Sequence, residues 1–311
     1  MHTHRSLHLV QVSADDSVLD PSAGTEARRR QSLYGRILRR GSPNSRMTVV
    51  VLTADPDRPA AQSDSVEFVP VSVRGNRRRR ARELYRALHA IDRRRPIDLV
   101  STQNPDGAGA VVNAFASRRH IPVVAQLHYD LFSPAGERAF GAGWRAALRK
   151  RLAIRQLRAA AALRVVGTRT GEAARHAGVG RRIDVLPVAV EMAAQPQRTG
   201  DLRERRVLFV GRLHPQKNLH RWLAVAARVA ATDPDVRFDI VGDGPLRAEL
   251  EQLAADLKLG NRVTFHGFVP YEQLGPLYAR ASVFLLTSDY EGFGRVIVES
   301  YCHETPTSLL N

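Results

Sequence analysis

The chain alternates between short apolar runs rich in β-branched residues and longer stretches with helical periodicity. This alternation predicts a parallel β-sheet with helices on its faces, because parallel strands are joined by helical crossovers. In the first half, strands are predicted at 7–12, 48–52, 66–71, 97–102, 122–128, 163–167 and 183–188. Helices are predicted between them at 25–40, 76–94, 107–119 and 143–161.

A polar stretch at 193–206 interrupts the pattern and is interpreted as a linker. The chain has 311 residues, which is more than one hydrophobic core usually organises. We therefore expect two Rossmann-like, doubly wound α/β domains, at 1–192 and 207–311. In the second domain, strands are predicted at 207–210, 238–241, 263–266 and 283–286, and helices at 218–231, 245–257, 271–280 and 294–303.

A polar or glycine-rich segment directly follows each predicted strand of the second domain. In open parallel sheets, ligands bind beyond the carboxyl ends of the strands, where helix amino termini also point. Four loops are therefore expected to converge on one edge of one sheet. These loops are 211–218, 242–245, 267–270 and 288–294.

The first loop, GRLHPQKN, carries Arg212 and Lys217 where the chain enters a helix. Arginine can grip phosphate oxygens with two donors at once, and lysine adds a compact charge. The pair therefore predicts a site for a diphosphate. The alternative is that both cations face solvent, as charged loop residues usually do.

The last loop, SDYEGFGRVIVES, places Glu291 before a glycine-flanked turn and Glu299 within the following helix. Carboxylates accept hydrogen bonds from sugar hydroxyls, and the uncapped N–H groups at 292–294 suit hydroxyl or phosphate oxygens. Glu299 lies roughly 7–8 Å along the helix from Gly294, so one ligand can reach both glutamates. The alternatives are a solvated helix residue for Glu299 and a helix-dipole partner for Glu291.

The composition is that of a folded protein, with 43% hydrophobic and 25% charged residues. The single Cys302 excludes an internal disulfide and a thiolate metal site. No apolar run approaches the ~20 residues that cross a bilayer. The amino terminus has no signal-peptide pattern, so we expect a cytoplasmic protein.

The chain is strongly basic, with a formal net charge of +16. Lysine occurs only at 150, 217 and 258, so nearly all of the 47 basic residues are arginine, which a biased genome would also produce. The stretch WRAALRKRLAIRQLR at 144–158 mixes one aromatic residue and aliphatic residues with six cations. This stretch predicts a helix that docks on the inner, anionic face of a membrane. The alternative is a solvated helix face.

The motifs GRLHPQKN, VGDGP and FHGFVP, followed by the pair Glu291 and Glu299, resemble glycosyltransferase family 4 in kind and order. More weakly, 24–26 resembles the amino-terminal glycine loop of that family, and VVAQLHYD resembles its strand that ends in a histidine. The resemblance covers nearly the whole chain. It implies the GT-B fold, in which two Rossmann-like domains face a cleft.

The resemblance also implies roles for the candidate residues. Arg212 and Lys217 would hold the diphosphate of a nucleotide sugar, and Glu299 would hold its ribose. Glu291 and His128 would contact the transferred sugar. The glycine-loop and turn residues implied to contact the donor are Gly24, Gly292, Phe293 and Gly294.

The activity implied by the resemblance is transfer of a hexose with retention of configuration. The donor would be a nucleotide diphosphate sugar, UDP- or GDP-linked, and the acceptor a hydroxyl of a saccharide or lipid-linked molecule. No cofactor and no metal ion are implied. Closure of the two domains would exclude water while the cations and helix amino termini stabilise the departing diphosphate.

The sequence departs from the family pattern at two places. After 183–188 it has VAVEM where the family often has an asparagine–glycine pair. At the carboxyl end it reads SYCHETPTSLLN where the family continues into a small-residue turn, further βα units and a helix that crosses back. We therefore expect an incomplete second domain, with a strand near Thr305 left partly uncovered, and weak turnover.

The sequence has features of three alternative functions. A non-catalytic remnant that keeps part of the nucleotide-sugar site is the alternative that the short carboxyl end favours. Nucleic-acid binding is disfavoured because aromatic residues make up only 6% of the chain and form no interleaved platform. A dinucleotide oxidoreductase is disfavoured because VGDGPLRAEL has Gly242 and Gly244 but no third glycine.

Overall fold

A computed structural model describes residues 6–19, 26–55, 57, 61–63, 66–103, 105, 107–128, 131–132, 143–188, 190 and 205–310. The chain divides into two compact units between Pro187 and Val188. Each unit is an α/β layer structure built on one sheet, as the alternating sequence pattern predicts.

The sheet of the first unit has the strand order β3-β4-β2-β1-β5-β6-β7-β8 in its described part. The short β3 pairs antiparallel with β4, and the other neighbouring pairs are parallel. The strands are β1 (His8–Ser13), β2 (Arg46–Thr53), β3 (Ala61–Ser63), β4 (Val66–Ser72), β5 (Leu99–Gln103), β6 (Val123–Leu127), β7 (Ala162–Val165) and β8 (Ile183–Val185).

Both faces of this sheet are covered. Along β2, Val50 packs into one apolar cluster, whereas Val49 and Val51 pack into another, because successive strand residues point to opposite faces. The helices described in this unit are α1 (Glu26–Gly41), α2 (Arg77–Arg94), α3 (Gly107–Arg119), α4 (Trp144–Ala159) and α5 (Thr168–His176).

The second unit has five described strands in the order β11-β10-β9-β12-β13, all parallel. Trp222 lies at the centre of its core, fully buried, and donates a hydrogen bond from Nε1 to the Leu285 carbonyl at 3.0 Å. The strands are β9 (Arg206–Val210), β10 (Arg237–Val241), β11 (Val263–Gly267), β12 (Val283–Leu286) and β13 (Thr307–Leu309). The helices are α6 (Leu219–Thr232), α7 (Arg247–Asp256), α8 (Gly275–Arg280) and α9 (Arg295–Cys302).

The pattern-based elements agree with this architecture, with three differences. The pattern misses β3, which is only three residues long and lies at the sheet edge, and it misses the short helix α5. The helix predicted at 271–280 divides into a 3₁₀ turn at Tyr271–Gln273 and α8, because Pro276 suits the start of a new helix. The strand expected near Thr305 is β13, which pairs with β12.

Two loops of the second unit pack backbone against backbone. A Cβ atom added to Gly242 would lie 1.9 Å from the Gly211 carbonyl oxygen, and one added to Gly244 would lie 2.4 Å from the Leu213 oxygen. Hydrogen bonds join the same loops, from Gly211 N to Val241 O and from Leu213 N to Asp243 O, both at 2.9 Å. The glycines of VGDGP therefore allow the loop after β10 to support the loop after β9.

The carboxyl end of α9 holds a strained residue. Glu304 is exposed and adopts a left-handed conformation, with φ +56°, while its N–H donates to the Tyr301 carbonyl at 3.0 Å. This conformation usually selects glycine after a helix.

Within the described part of the chain, no helix is both long and apolar enough to span a bilayer.

We predict that Gly242→Ala destabilises the second unit by about 2–4 kcal/mol, because the new methyl group cannot occupy the space of the Gly211 carbonyl. The free energy of unfolding, measured by urea denaturation, tests this. Gly260→Ala is the matched control. Gly260 also has positive φ, +53°, but faces open space, so its replacement should cost only about 1–2 kcal/mol. Equal losses in the two variants would contradict the close-packing argument.

Candidate functional site

The loops that follow β9 and β12 are joined by a set of hydrogen bonds at the carboxyl edge of the second sheet. Gln216 Nε2 donates to the Tyr290 carbonyl at 2.9 Å, and the Asp289 N–H donates to the Gln216 carbonyl at 3.0 Å. Thr287 Oγ1 donates to the Lys217 carbonyl at 3.1 Å. These bonds fix the position of Lys217 relative to the segment that carries Glu291.

Asn218 makes the sharp turn from this loop into α6. Its φ of +47° is left-handed, a conformation that asparagine tolerates better than most residues. Its side-chain Nδ2 donates to Asp289 Oδ1 at 2.9 Å. The turn at Asn218 can be predicted from the sequence, because an asparagine directly precedes the helical pattern. The hydrogen bond to Asp289 cannot, because the two residues are far apart in the chain.

Lys217 and Glu291, both predicted as site residues, form an ion pair. Lys217 Nζ lies 2.6 Å from Glu291 Oε1, and the Ser288 hydroxyl donates to the same oxygen at 2.6 Å. The two charged side chains are 15% and 22% exposed, so the pair is partly shielded from water. Each charge therefore neutralises the other. Sequence reasoning missed Ser288.

Arg212 lies on the same loop as Lys217 and is exposed. Among the residues that the structure describes, the Arg212 guanidinium has no ion-pair partner. The loop thus presents one cation to solvent and holds the other against a carboxylate.

Glu299 lies in the second turn of α9 and is only 3% exposed. Its Oε1 accepts hydrogen bonds from Arg295 Nη2 at 3.1 Å and Nε at 3.3 Å, and its Oε2 accepts one from the Tyr278 hydroxyl at 3.1 Å. The alternative interpretation of Glu299 as a solvated helix residue is therefore wrong. Arg295 and Glu299 are opposite charges four residues apart in a helix, which is a readable sequence signal.

Tyr278 supports Glu299 from α8. Burial and the adjacent Glu299 carboxylate raise the pKa of Tyr278 well above its ordinary value, so the hydroxyl remains a donor. The His303 ring stacks on Tyr278 with centroids 5.4 Å apart, and burial lowers the pKa of His303. No sequence motif marks Tyr278, because its contact with Glu299 depends on the tertiary fold.

The turn at 292–294 leads into α9, which begins at Arg295 after a left-handed Gly294 with φ +70°. The left-handed backbone favours glycine here, and a Cβ atom on Gly294 would lie 2.8 Å from Ile297 Cδ1, so the end of that side chain would have to move. Gly292 and Phe293 complete the turn between Glu291 and the helix. The backbone amides expected to bind a ligand therefore lie between the ion-paired Glu291 and the first residue of α9.

In the first unit, His128 follows β6 at the carboxyl edge of its sheet. Its Nε2 is buried and has no hydrogen-bond partner in the described part of the chain. Burial, assisted by the positive charges of Arg164 and Arg30, lowers the pKa of His128 to about 4. The imidazole is therefore neutral near pH 7. Gly24 lies outside the described residues.

The described site thus combines a paired cation and carboxylate, a second exposed cation and a buried carboxylate network on one sheet. Comparison with known proteins places the chain in a family. Residues 36–194 match Glycosyltransferase Family 4, and residues 193–307 match Glycosyl transferases group 1.

Individual relatives are similar over part of their length. The 2-deoxystreptamine glucosyltransferase of Streptomyces kanamyceticus is 32% identical over an alignment of 166 residues that covers 49% of this chain and 43% of that protein. The phosphatidylinositol N-acetylglucosaminyltransferase gpi3 subunit of Schizosaccharomyces pombe is 34% identical over 122 residues, 39% of this chain and 27% of that protein. The matched part spans less than half the length of these curated relatives.

Solved structures share the fold at low sequence identity. Sucrose-phosphate synthase from Thermosynechococcus elongatus matches with a TM-score of 0.77 and 20% identity, covering 97% of this chain and 81% of that one. Anabaena Alr3699/HepE, in complex with UDP and glucose, matches with a TM-score of 0.68 and 20% identity over 98% and 80% of the two chains. The fold is GT-B, and the first of the two family matches covers more than half of the sequence. The chain belongs to Glycosyltransferase Family 4.

Proposed function

We propose that this chain transfers a hexose from a nucleotide diphosphate sugar to a hydroxyl acceptor, with retention of anomeric configuration. The observation that carries the proposal is the 2.6 Å pair of Lys217 and Glu291 at the carboxyl edge of a parallel sheet. That pair holds one group suited to a diphosphate and one suited to sugar hydroxyls within a single hydrogen bond of each other.

The diphosphate is assigned to Arg212 and Lys217. Arg212 is exposed on the loop and is available for the first contact with an anion. Lys217 must then exchange its Glu291 partner, wholly or in part, for phosphate oxygens. The exchange preserves a charge-assisted hydrogen bond for the ammonium and releases a carboxylate acceptor for a sugar hydroxyl.

The ribose is assigned to Glu299. Two carboxylate oxygens offer about four acceptor sites. Arg295 and Tyr278 supply three hydrogen bonds to them. One acceptor site therefore stays open for a hydroxyl, while the surrounding donors hold the carboxylate in one orientation. In this assignment Arg295 and Tyr278 are positioning residues.

The transferred sugar is assigned to Glu291, the amides at 292–294 and His128. The buried His128 Nε2 has no hydrogen-bond partner among the described residues, and a neutral imidazole can accept a hydrogen bond from a hydroxyl, which a protonated ring cannot. As the bond to the sugar breaks, negative charge develops on the diphosphate, and the two cations with the helix amino terminus stabilise it. Gly24 is assigned to the donor loop by family resemblance.

UDP is the first nucleotide to test, because the Anabaena neighbour was solved with UDP and glucose. GDP is the alternative. The names of the relatives refer to a 2-deoxystreptamine ring and to phosphatidylinositol, which supports a hydroxyl of a saccharide-like ring or of a lipid-linked molecule as acceptor. Turnover of donor panels by the purified chain, with the anomer of the product read by NMR, tests donor, acceptor and retention together. A product of inverted configuration would overturn the retaining proposal.

We predict that Lys217→Ala and Arg212→Ala each weaken UDP binding by about 1.5–3 kcal/mol, roughly 10- to 150-fold, because a charged hydrogen bond to phosphate is lost. The larger loss is expected for Lys217→Ala, which also leaves Glu291 unpaired near the anion. Isothermal titration calorimetry measures both. Lys258→Ala, which removes an exposed lysine of the same unit, is the control. Unchanged affinity in both site variants would exclude the diphosphate assignment.

We predict different defects for the two glutamates. Glu299→Gln should weaken binding of UDP itself, whereas Glu291→Gln should lower kcat with UDP affinity retained, since a hydrogen bond to the sugar matters most as the reaction proceeds. Melting curves will show how far Glu299→Gln destabilises the chain by removing the carboxylate that pairs with Arg295. Glu249→Gln, at an exposed position on α7, should change neither quantity. Equal losses of UDP affinity at 291 and 299 would contradict the separate roles.

We predict a pH-dependent contribution of His128 to stability. Its pKa is about 4 in the folded chain against an ordinary 6.5, so between these values the unfolded chain binds more protons. The stability tied to neutral His128 is therefore complete above pH ~6.5 and is lost as the pH falls toward ~4. The difference in unfolding free energy between the native chain and His128→Gln should shrink over that range. A difference that stays constant would show that His128 titrates normally.

A further inference from the structure

Helix α4, Trp144–Ala159, carries a row of large apolar side chains on its solvent side. Trp144, Leu148 and Leu152 are 71%, 49% and 48% exposed. They are four residues apart, and each step of four advances by about 40° around a helix, so they form one continuous stripe. The stripe supplies three of the ten exposed large hydrophobic side chains found among the described residues.

The fold does not need this stripe. The opposite side of α4 already supplies Ala153 and Leu157 to the buried cluster that also contains Leu163 of β7. The exposed side chains therefore lie outside the core, and water contacts them without compensation. Adjacent exposed apolar side chains on a helix mark a surface that contacts something less polar than water.

Cations surround the stripe. The helix has six basic residues and no acidic one. The Arg145 guanidinium lies 5.3 Å from the centre of the Trp144 ring, and Arg151 and Arg155 lie within about 20° of Trp144 around the helix. The residues that line a shallow groove beside the stripe are Ala147, Lys150, Arg151, Ile154, Arg155 and Arg158.

We propose that this face of α4 docks on a membrane leaflet that contains anionic lipid. The stripe would enter the boundary between headgroups and acyl chains, with Trp144 at the depth where indole rings are favoured. The flanking cations would bind lipid phosphates, at about 1 kcal/mol for each cation near the surface. The docking rests on this helix alone and does not depend on the proposed transferase activity.

Other occupants fit less well. A nucleic acid would meet the cations but give Leu148 and Leu152 no hydrocarbon to enter, and it would find one aromatic ring where single-strand binders use several. A second copy of the chain would bring the same positive charges to the interface, in a molecule with net charge +16. Anionic lipid satisfies the apolar and the charged parts together.

The test uses the full chain and vesicles of phosphatidylcholine, alone or with about 30% phosphatidylglycerol, at about 50 and 500 mM salt. Flotation should show binding only to the anionic vesicles, weakened by salt. Tryptophan emission gives a second readout. The chain has two Trp residues, and Trp222 is fully buried, so a blue shift on binding reports Trp144.

Two variants separate the parts of the surface. Leu148→Ser with Leu152→Ser should lower the partition coefficient at least about tenfold through lost burial of aliphatic area. Arg151→Gln with Arg155→Gln should lower it about 10- to 30-fold through lost charge. Arg77→Gln with Arg78→Gln is the matched control, because it removes two exposed arginines from α2, and it should stay within about threefold. All side chains changed are exposed, and unchanged melting curves will confirm folding.

The proposal fails if the chain does not bind the anionic vesicles, or if it binds them without a shift in Trp emission. It also fails if the control and the α4 variants lose binding equally, because attraction would then follow total charge. Binding of a single-stranded oligonucleotide that is lost in the Arg151/Arg155 variant, with no binding to vesicles, would assign the surface to nucleic acid instead.

Discussion

The carboxyl edge of the second sheet depends on direct contact between two backbones. Gly242 and Gly244 bring the loop after β10 against the loop after β9, with no side chain between them. A parallel sheet sends each chain segment out at the same edge, but it does not by itself fix the loops that leave there. The glycine contact supplies that constraint. It supports the segment on which Arg212 and Lys217 lie, and Lys217 in turn meets the segment of Glu291.

Ion pairs then fix the charged side chains of the candidate site. Lys217 and Glu291 neutralise each other, as do Arg295 and Glu299, so the partly and fully buried carboxylates are each paired. Burying an unpaired charge would cost several kcal/mol, which explains why each carboxylate is held against a cation. The two ion pairs thus orient both glutamates of the candidate site.

Much of the fold and some of the site can be predicted from the sequence. The spacing of apolar runs and their content of β-branched residues locate nearly every strand, because a parallel sheet buried on both faces has few polar positions to obscure the pattern. The loop motifs bring Lys217 and Glu291 to one edge by topology alone. The burial of Glu299 could not be predicted, since it depends on Tyr278, which lies 21 residues earlier and on another helix. The neutral state of His128 likewise follows from its surroundings and not from a motif.

The type of basic residue around the Trp144 stripe determines how the charge of this surface responds to pH and to salt. Five of the six cations on α4 are arginine, and arginine remains protonated at any pH at which proteins stay folded. The positive field of this face therefore cannot be switched off by pH, and acetylation of lysine would remove only the charge of Lys150. Ionic strength is left as the main control, because salt screens exposed charges over a Debye length of about 8–10 Å under ordinary conditions. The helix thus carries a permanent charge whose reach is set by the solution and not by the protein.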